Sequence, residues 1–268
     1  MRLIAGFDHV VIAVRDLAAG VAAYQLLLGR EALPAIEHDG VATALIVTSN
    51  IAVELMAPIG ASERARRLQA ALDDGGEGLK SLVFAVGDIE RAHGRAERVG
   101  LAPDAIVERA AAWQSFRGNT ERTHGVRLFF MQRDAAPAPS AAHACGVRGL
   151  DHVVIRSPDA ERAAALYGAR LGLDMRLERE VRGARLMFFR CGDAIVEIVH
   201  DVSVADAKDR LWGLSWRVAD GDAERARLAA AGLDVSEVRQ GIKPGTRVFT
   251  VRTGTVNVPT LMIELAGP

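Results

Sequence analysis

Phe7-Asp8-His9-Val10-Val11-Ile12 returns 143 residues later as Leu150-Asp151-His152-Val153-Val154-Ile155. The register then runs on without a gap. Asp16 meets Asp159, Tyr24 meets Tyr167, Leu28-Gly29 meets Leu171-Gly172, Gly40 meets Gly183, and Val53-Glu54 meets Val196-Glu197. A series of this kind marks a duplication, and internal repetition constrains a fold more strongly than any local propensity. A fainter copy lies between the two. Asp88 and Gly100-Leu101 correspond to Asp220 and Gly232-Leu233 at an offset of 132, which sets Gln132 against Glu264 and Ser81 against Gly213. The chain therefore divides into four modules, covering residues 7–57, 79–133, 149–200 and 211–266. The Pro/Ala-rich stretch Asp134–His143 reads as a linker. Two domains of two modules each are expected, 1–135 and 146–268.

Each module has the same grammar. A strand-length apolar run opens it: Phe7–Val14, Leu82–Val86, Leu150–Ile155 and Leu214–Val218. An aspartate able to cap a helix follows. After Asp16, Leu17, Val21, Tyr24 and Leu28 fall on one helical face, and Gly29 stops the helix. Tyr24 and its copy Tyr167, at helix spacing among leucines, read as core. Three shorter strand-like runs complete each unit, giving β-α-β-β-β four times and an α+β fold.

Strand alternation then sorts the polar residues. Val10, Ile12 and Val14 share the face that a helix covers, and His9 lies on the other. Ile51, Val53 and Leu55 place Glu54 opposite the helix side, and the third module repeats this with His152 and Glu197. Glu264, flanked by Ile263 and Leu265, is expected to face away from its helix too. A carboxylate alone in an apolar strand is expensive to bury unpaired. Its recurrence at Glu54, Glu197 and Glu264 asks for a common reason.

At this point the sequence resembles a known family. Asp-His-Val-Val-Ile-Ala-Val-Arg-Asp-Leu at 8–17, Asp-His-Val-Val-Ile at 151–155, and Val-Glu at 53–54 and 196–197 are similar to the vicinal oxygen chelate superfamily. That group includes glyoxalase I, bleomycin-resistance proteins, type I extradiol dioxygenases and methylmalonyl-CoA epimerase. The resemblance covers essentially the whole chain and implies paired βαβββ modules forming cup-shaped sheets, tandem glyoxalase-like domains. The first and last strands of each module are then adjacent. It also implies a divalent metal (Zn, Ni, Co, Mn or Fe) held by one residue from each of those four strands. Carried over, the positions are His9, Glu54, Ser81 and Gln132 in the N-terminal pair, and His152, Glu197, Gly213 and Glu264 in the C-terminal pair. Ser81 is a poor ligand and Gly213 offers no side chain, so each cup has three useful positions. One histidine and two carboxylates make His152, Glu197 and Glu264 the better set, and His9, Glu54 and Gln132 the weaker. If modules one and four pair instead, the ligands regroup as His9, Glu54 and Glu264.

Composition narrows the partners. The 33 basic and 34 acidic residues nearly cancel, with no run of five or more like charges, so neither nucleic acid nor an anionic membrane is favoured. No uncharged stretch reaches membrane-spanning length, and two cysteines build no disulfide framework. The expectation is a cytoplasmic protein acting on a small molecule. Lys243, Arg247 and Arg252, which border one strand-like run, suit an anionic substrate.

Three functions remain. The first is a glyoxalase-like, metal-assisted lyase or isomerase in which Glu264 or Glu197 moves the proton. The second is an extradiol-type dioxygenase, disfavoured because Gly213 stands where a second histidine belongs. The third is a metal-free, drug-sequestering binding protein.

Overall fold

In the computed structural model, residues 3–109, 112–144, 146–181, 183–203 and 207–265 are described. The first module contains β1 (Ile4–Ala13), α1 (Leu17–Leu28), β2 (Ile36–His38), β3 (Val41–Val47) and β4 (Ala52–Pro58). A helix that the module grammar omits, α2 (Glu63–Gly75), precedes the second: β5 (Gly78–Val86), α3 (Ile89–Arg98), β6 (Val107–Arg109), β7 (Trp113–Arg117) and β8 (Arg127–Arg133). The third contains β9 (Gly149–Ser157), α4 (Ala160–Ala164) continued by a π-type turn (Ala165–Arg170), β10 (Asp174–Val181), β11 (Ala184–Cys191) and β12 (Ala194–His200). The fourth contains β13 (Arg210–Val218), α5 (Gly221–Ala230), β14 (Arg239–Gln240), β15 (Thr246–Val251) and β16 (Thr260–Leu265).

The expected α+β architecture is present as two eight-stranded sheets. Their orders are β2-β3-β4-β1-β5-β8-β7-β6 and β10-β11-β12-β9-β13-β16-β15-β14. The second repeats the first strand for strand, and in each module the first and last strands are neighbours. Pairs β5–β8, β9–β12 and β13–β16 run parallel. A parallel pair needs a long crossover, which the helix and the intervening hairpin supply. The late apolar runs that carry Glu54 and Glu264 are strands, Ala52–Pro58 and Thr260–Leu265.

Local chemistry explains where the helices begin. Asp16, Asp88, Asp159 and Asp220 each accept from the backbone N–H three residues on, and Ser62 does the same for α2. Each such cap contributes about 1 kcal/mol. Gly29 closes α1 in the left-handed region at φ 60°, a conformation that glycine adopts without Cβ strain.

Compact packing divides the chain into two units. One unit comprises Met1–Val10, Lys80–Pro137 and His152–Trp212, and the other Val11–Leu79, Ala138–Asp151 and Gly213–Pro268. In the first unit, Phe7 stacks on Phe84, Phe84 meets Phe130, and Phe130 stacks on Phe116, with centroids 5.7, 5.7 and 4.8 Å apart. His93 packs edge-on against Phe116 and hydrogen-bonds the Asp104 carbonyl. Arg170 donates to the carbonyls of Val99 and Gly100 beyond α3. In the second unit, Arg227 does the same for Leu26 and Leu27 at the end of α1. A cation belongs at a helix C-terminus, where orphan carbonyls concentrate negative potential.

Tyr24 and Tyr167 are core residues, both fully buried. The Pro/Ala stretch is no loose linker. Ser140 exchanges hydrogen bonds with Val47 through both N–H and Oγ, and the Arg30 guanidinium donates to the Ser140 carbonyl. Cys191 is buried, and burial pushes its thiol pKa up; Cys145 lies outside the described residues. Among the described residues, no helix is long and apolar enough to cross a membrane.

Candidate functional site

Parallel pairing of β9 with β12 aligns His152 with Ile195, Val154 with Glu197 and Arg156 with Val199. Antiparallel β11 extends those rows: Arg190 joins Ile195, Phe188 joins Glu197 and Leu186 joins Val199. Edge strand β10 adds Leu177 beside Phe188 and Arg179 beside Leu186. Residues in register share a face. One surface of the third module therefore carries three rows: Arg190, Ile195 and His152; then Leu177, Phe188, Glu197 and Val154; then Arg179, Leu186, Val199 and Arg156. Alternate residues Val153, Ile155, Met187, Val196 and Ile198 are fully buried on the other face, so the rows form the open side.

His152 Nε2 lies 3.0 Å from Glu197 Oε2, and both side chains keep about one-seventh of their surface exposed, 14% and 13%. The carboxylate sits between Phe188 and Val154 in its row. At Arg156 the guanidinium pairs with Asp201 and stands 5.7 Å from the Trp212 ring centroid. The Arg179 guanidinium stands 5.7 Å from the Phe188 ring centroid. Of the side chains on this face, the sequence singles out His152 and Glu197 but not Arg179 or Phe188.

Glu264 is placed otherwise than expected. Register pairs it with Val218, and Met262 with Trp216, so it shares a face with a fully buried tryptophan and methionine. Its Oε2 accepts from the Gly221 N–H at the start of α5, 2.9 Å away, and from Arg247 at 3.0 Å. The carboxylate thus points toward its helix, not away from it. Gln132 does the corresponding thing in the second module, its Oε1 accepting from the Ile89 N–H at the start of α3, 2.8 Å away. Positions 89 and 221 differ by the repeat offset of 132, so this contact is duplicated. Both proposed fourth ligands are helix-terminus acceptors.

The cations suggested for substrate are mostly engaged. Arg247 bridges Asp222 and Glu264, Arg252 pairs with Asp234 at 2.8 Å, and Lys243 is exposed. In the weaker N-terminal set, His9 Nδ1 lies 2.6 Å from Asp8 Oδ1. Asp8 in turn accepts three hydrogen bonds from Arg133, at 2.8, 2.9 and 3.0 Å. Burial opposes ionisation of Asp8, but His9 and Arg133 outweigh it and hold the carboxyl below its usual range. Glu54 is half-buried in β4, in register with Leu45, and Ser81 is buried in β5.

A divalent ion held by protein asks for three or more convergent ligands. Among the described residues no three His, Cys, Asp or Glu side chains gather to hold one. His152 and Glu197 come together, but Glu264 is committed to Arg247 and the α5 terminus. The donor set does not fit a resident ion.

Comparison with known proteins agrees with the fold. Residues 7–172 match the model of the glyoxalase-like domain, and residues 151–250 match that of the glyoxalase/bleomycin resistance protein/dioxygenase superfamily. No functionally curated protein matches the chain. Among solved structures it is similar to a mutant 4-hydroxymandelate synthase from Streptomyces coelicolor, at 15% identity and TM-score 0.74, covering 99% of this chain and 94% of that one. An Mn(II)-bound glyoxalase from Novosphingobium aromaticivorans aligns at 14% identity and TM-score 0.73, covering 100% and 84%. A catechol 2,3-dioxygenase aligns at 13% identity and TM-score 0.69, covering 99% and 90%. At such identities the structural likeness speaks for the fold alone, while the family model spans more than half the sequence. The chain belongs to the glyoxalase-like domain family and has the fold of the vicinal oxygen chelate superfamily.

Proposed function

We propose that this protein is a glyoxalase-like enzyme that moves a proton on a small, oxygen-rich carbonyl compound, a lyase or isomerase reaction, at the open face of its third module. One observation carries the reading: Glu197 sits in a row of apolar side chains with His152 3.0 Å from its carboxylate. Glu197 is the general base. It takes the proton from a carbon that an adjacent carbonyl acidifies, and returns it to the neighbouring atom. His152, held against the same carboxylate, fixes its orientation. A positioned base of this kind contributes roughly 10²–10⁴ in rate. No step runs through a metal, because the donor set does not fit one.

The test is deuterium incorporation from D2O into a panel of small 2-hydroxy and 2-oxo carbonyl compounds, followed by NMR. Exchange should fall about 100-fold or more in Glu197→Gln, persist in Glu54→Gln, and survive dialysis against a chelator. Binding of panel members without any exchange would replace this reading with the sequestering one. Exchange lost on chelation and restored by a divalent ion would show the metal-free mechanism to be wrong.

A further inference from the structure

Several arginines of the third module have partners. Arg156 meets Asp201, Arg162 meets Asp209, Arg185 bridges Glu161 and Glu178, Arg170 donates to three carbonyls, and Arg190 bonds the Gly192 carbonyl. Arg179 is placed differently: its Nε, like that of Arg162, is buried without a hydrogen-bond partner among the described residues, but its guanidinium, unlike that of Arg162, lies over the Phe188 ring and not against a carboxylate. A buried donor left unmatched is costly. Stacking occupies a face of the guanidinium plane and leaves the planar fork of donors along its edge without a protein acceptor among the described residues. That geometry matches a carboxylate.

The neighbouring side chains define the remainder of the ligand. Leu177, nearly half exposed at 47%, flanks Phe188 in the same row. Glu197 is the next residue of that row, one interstrand spacing of about 4.8 Å from Phe188. An anion held at Arg179 would rest its flat apolar body against Leu177 and the free side of Phe188, with its far end toward Glu197.

We propose that Arg179 and Phe188 form an anion-recognition subsite on the open face of β9–β12. It takes a small, flat carboxylate whose apolar body packs on Phe188 and Leu177. What happens at the far end rests on the function proposed for Glu197; the binding does not. The cations singled out in sequence, Arg247 and Arg252, are neutralised by Glu264, Asp222 and Asp234, so the anion site is assigned to a different strand.

The experiment is calorimetric titration of the full chain with benzoate, and with benzamide as its uncharged counterpart. Benzoate should bind, more weakly as salt is raised, and benzamide should bind at least tenfold more weakly. Arg179→Gln should weaken benzoate at least tenfold, with Arg179→Lys between it and the native protein. Arg252→Gln should leave benzoate binding unchanged. Unaltered circular dichroism and denaturation midpoint in Arg179→Gln would show that the loss is local. Glu197→Gln should bind benzoate at least as tightly as the native chain, since it removes a nearby negative charge, while its proton exchange falls about 100-fold, which separates failure of this subsite from failure of the catalytic reading. Equal binding of benzoate and benzamide, native-like benzoate binding by Arg179→Gln, or no benzoate binding by the native chain would each overturn the proposal.

Discussion

His9 and His152 occupy the same position in two copies of one strand, and their company differs. His9 is 5% exposed and holds Asp8 through Nδ1, with Arg133 clamping the far side of that carboxylate. His152 reaches through Nε2 to Glu197, two residues along the neighbouring strand from its own register partner Ile195. One arrangement is a buried His9–Asp8–Arg133 chain inside the first compact unit. The other lies on an open face beside Phe188, Leu177 and Arg179. Duplication preserved the backbone address of the imidazole. What each histidine can do depends on which partner carboxylate it meets and what encloses the pair.

That contrast predicts its largest effect in activity. His152→Gln should lower proton exchange about 100-fold through loss of the group that orients Glu197, with unfolding free energy changed by less than about 1 kcal/mol. His9→Gln should leave exchange unaltered. Equal loss in both variants would mean that the two copies are functionally equivalent.

Stability should show the reverse. Asp8→Asn removes a carboxylate that neutralises Arg133 in a site with little solvent, and hydrogen bonds to charged groups are worth about 1.5–3 kcal/mol. Denaturant unfolding should register a loss of about that size, with exchange at the third module retained. The same residue sets an acid limit. Because the folded state holds Asp8 below its ordinary carboxylate value, its contribution is complete above about pH 4 and drains away as pH falls through the lower folded value. Native protein should lose stability across that window more steeply than Asp8→Asn. Parallel curves would show that the His9–Asp8–Arg133 chain does not carry the acid sensitivity.

The repeat and the aspartate caps made the fold legible, since alternation and N-capping are written in adjacent residues. Helix α2 was not legible from module grammar, because it belongs to no repeat; Ser62 capping Ala65 was its local signal. The site was half legible. His152 and Glu197 lie on parallel strands whose alternation is clear, but Thr260-Leu-Met-Ile-Glu-Leu265 is apolar on both faces. Alternation alone therefore could not orient Glu264. Arg179 left a signal that was overlooked. Leu177-Glu178-Arg179-Glu180 alternates apolar and charged until Arg179 falls in phase with Leu177, a cation on the side where the strand is otherwise apolar.

The smallest effect tests the reinterpretation of Glu264. If its task is to accept from the Gly221 N–H, an amide oxygen should serve, and the molecule already contains that substitution: Gln132 accepts from Ile89 at the equivalent place. Glu264→Gln keeps the acceptor and gives up only the charge pairing with Arg247, which is 38% exposed. Pairs so open to water are worth about 0–1 kcal/mol, so unfolding should shift by no more than that, with exchange and benzoate binding untouched. Glu264→Ala removes the acceptor as well and leaves the α5 N–H without its partner, adding about 1 kcal/mol. A ligand of a catalytic ion would behave in the opposite way, because glutamine is a far weaker donor than glutamate to a divalent cation. Loss of exchange in Glu264→Gln at unchanged stability would therefore return Glu264 to the active site and undo the distinction between its face of β16 and the open face of the third module.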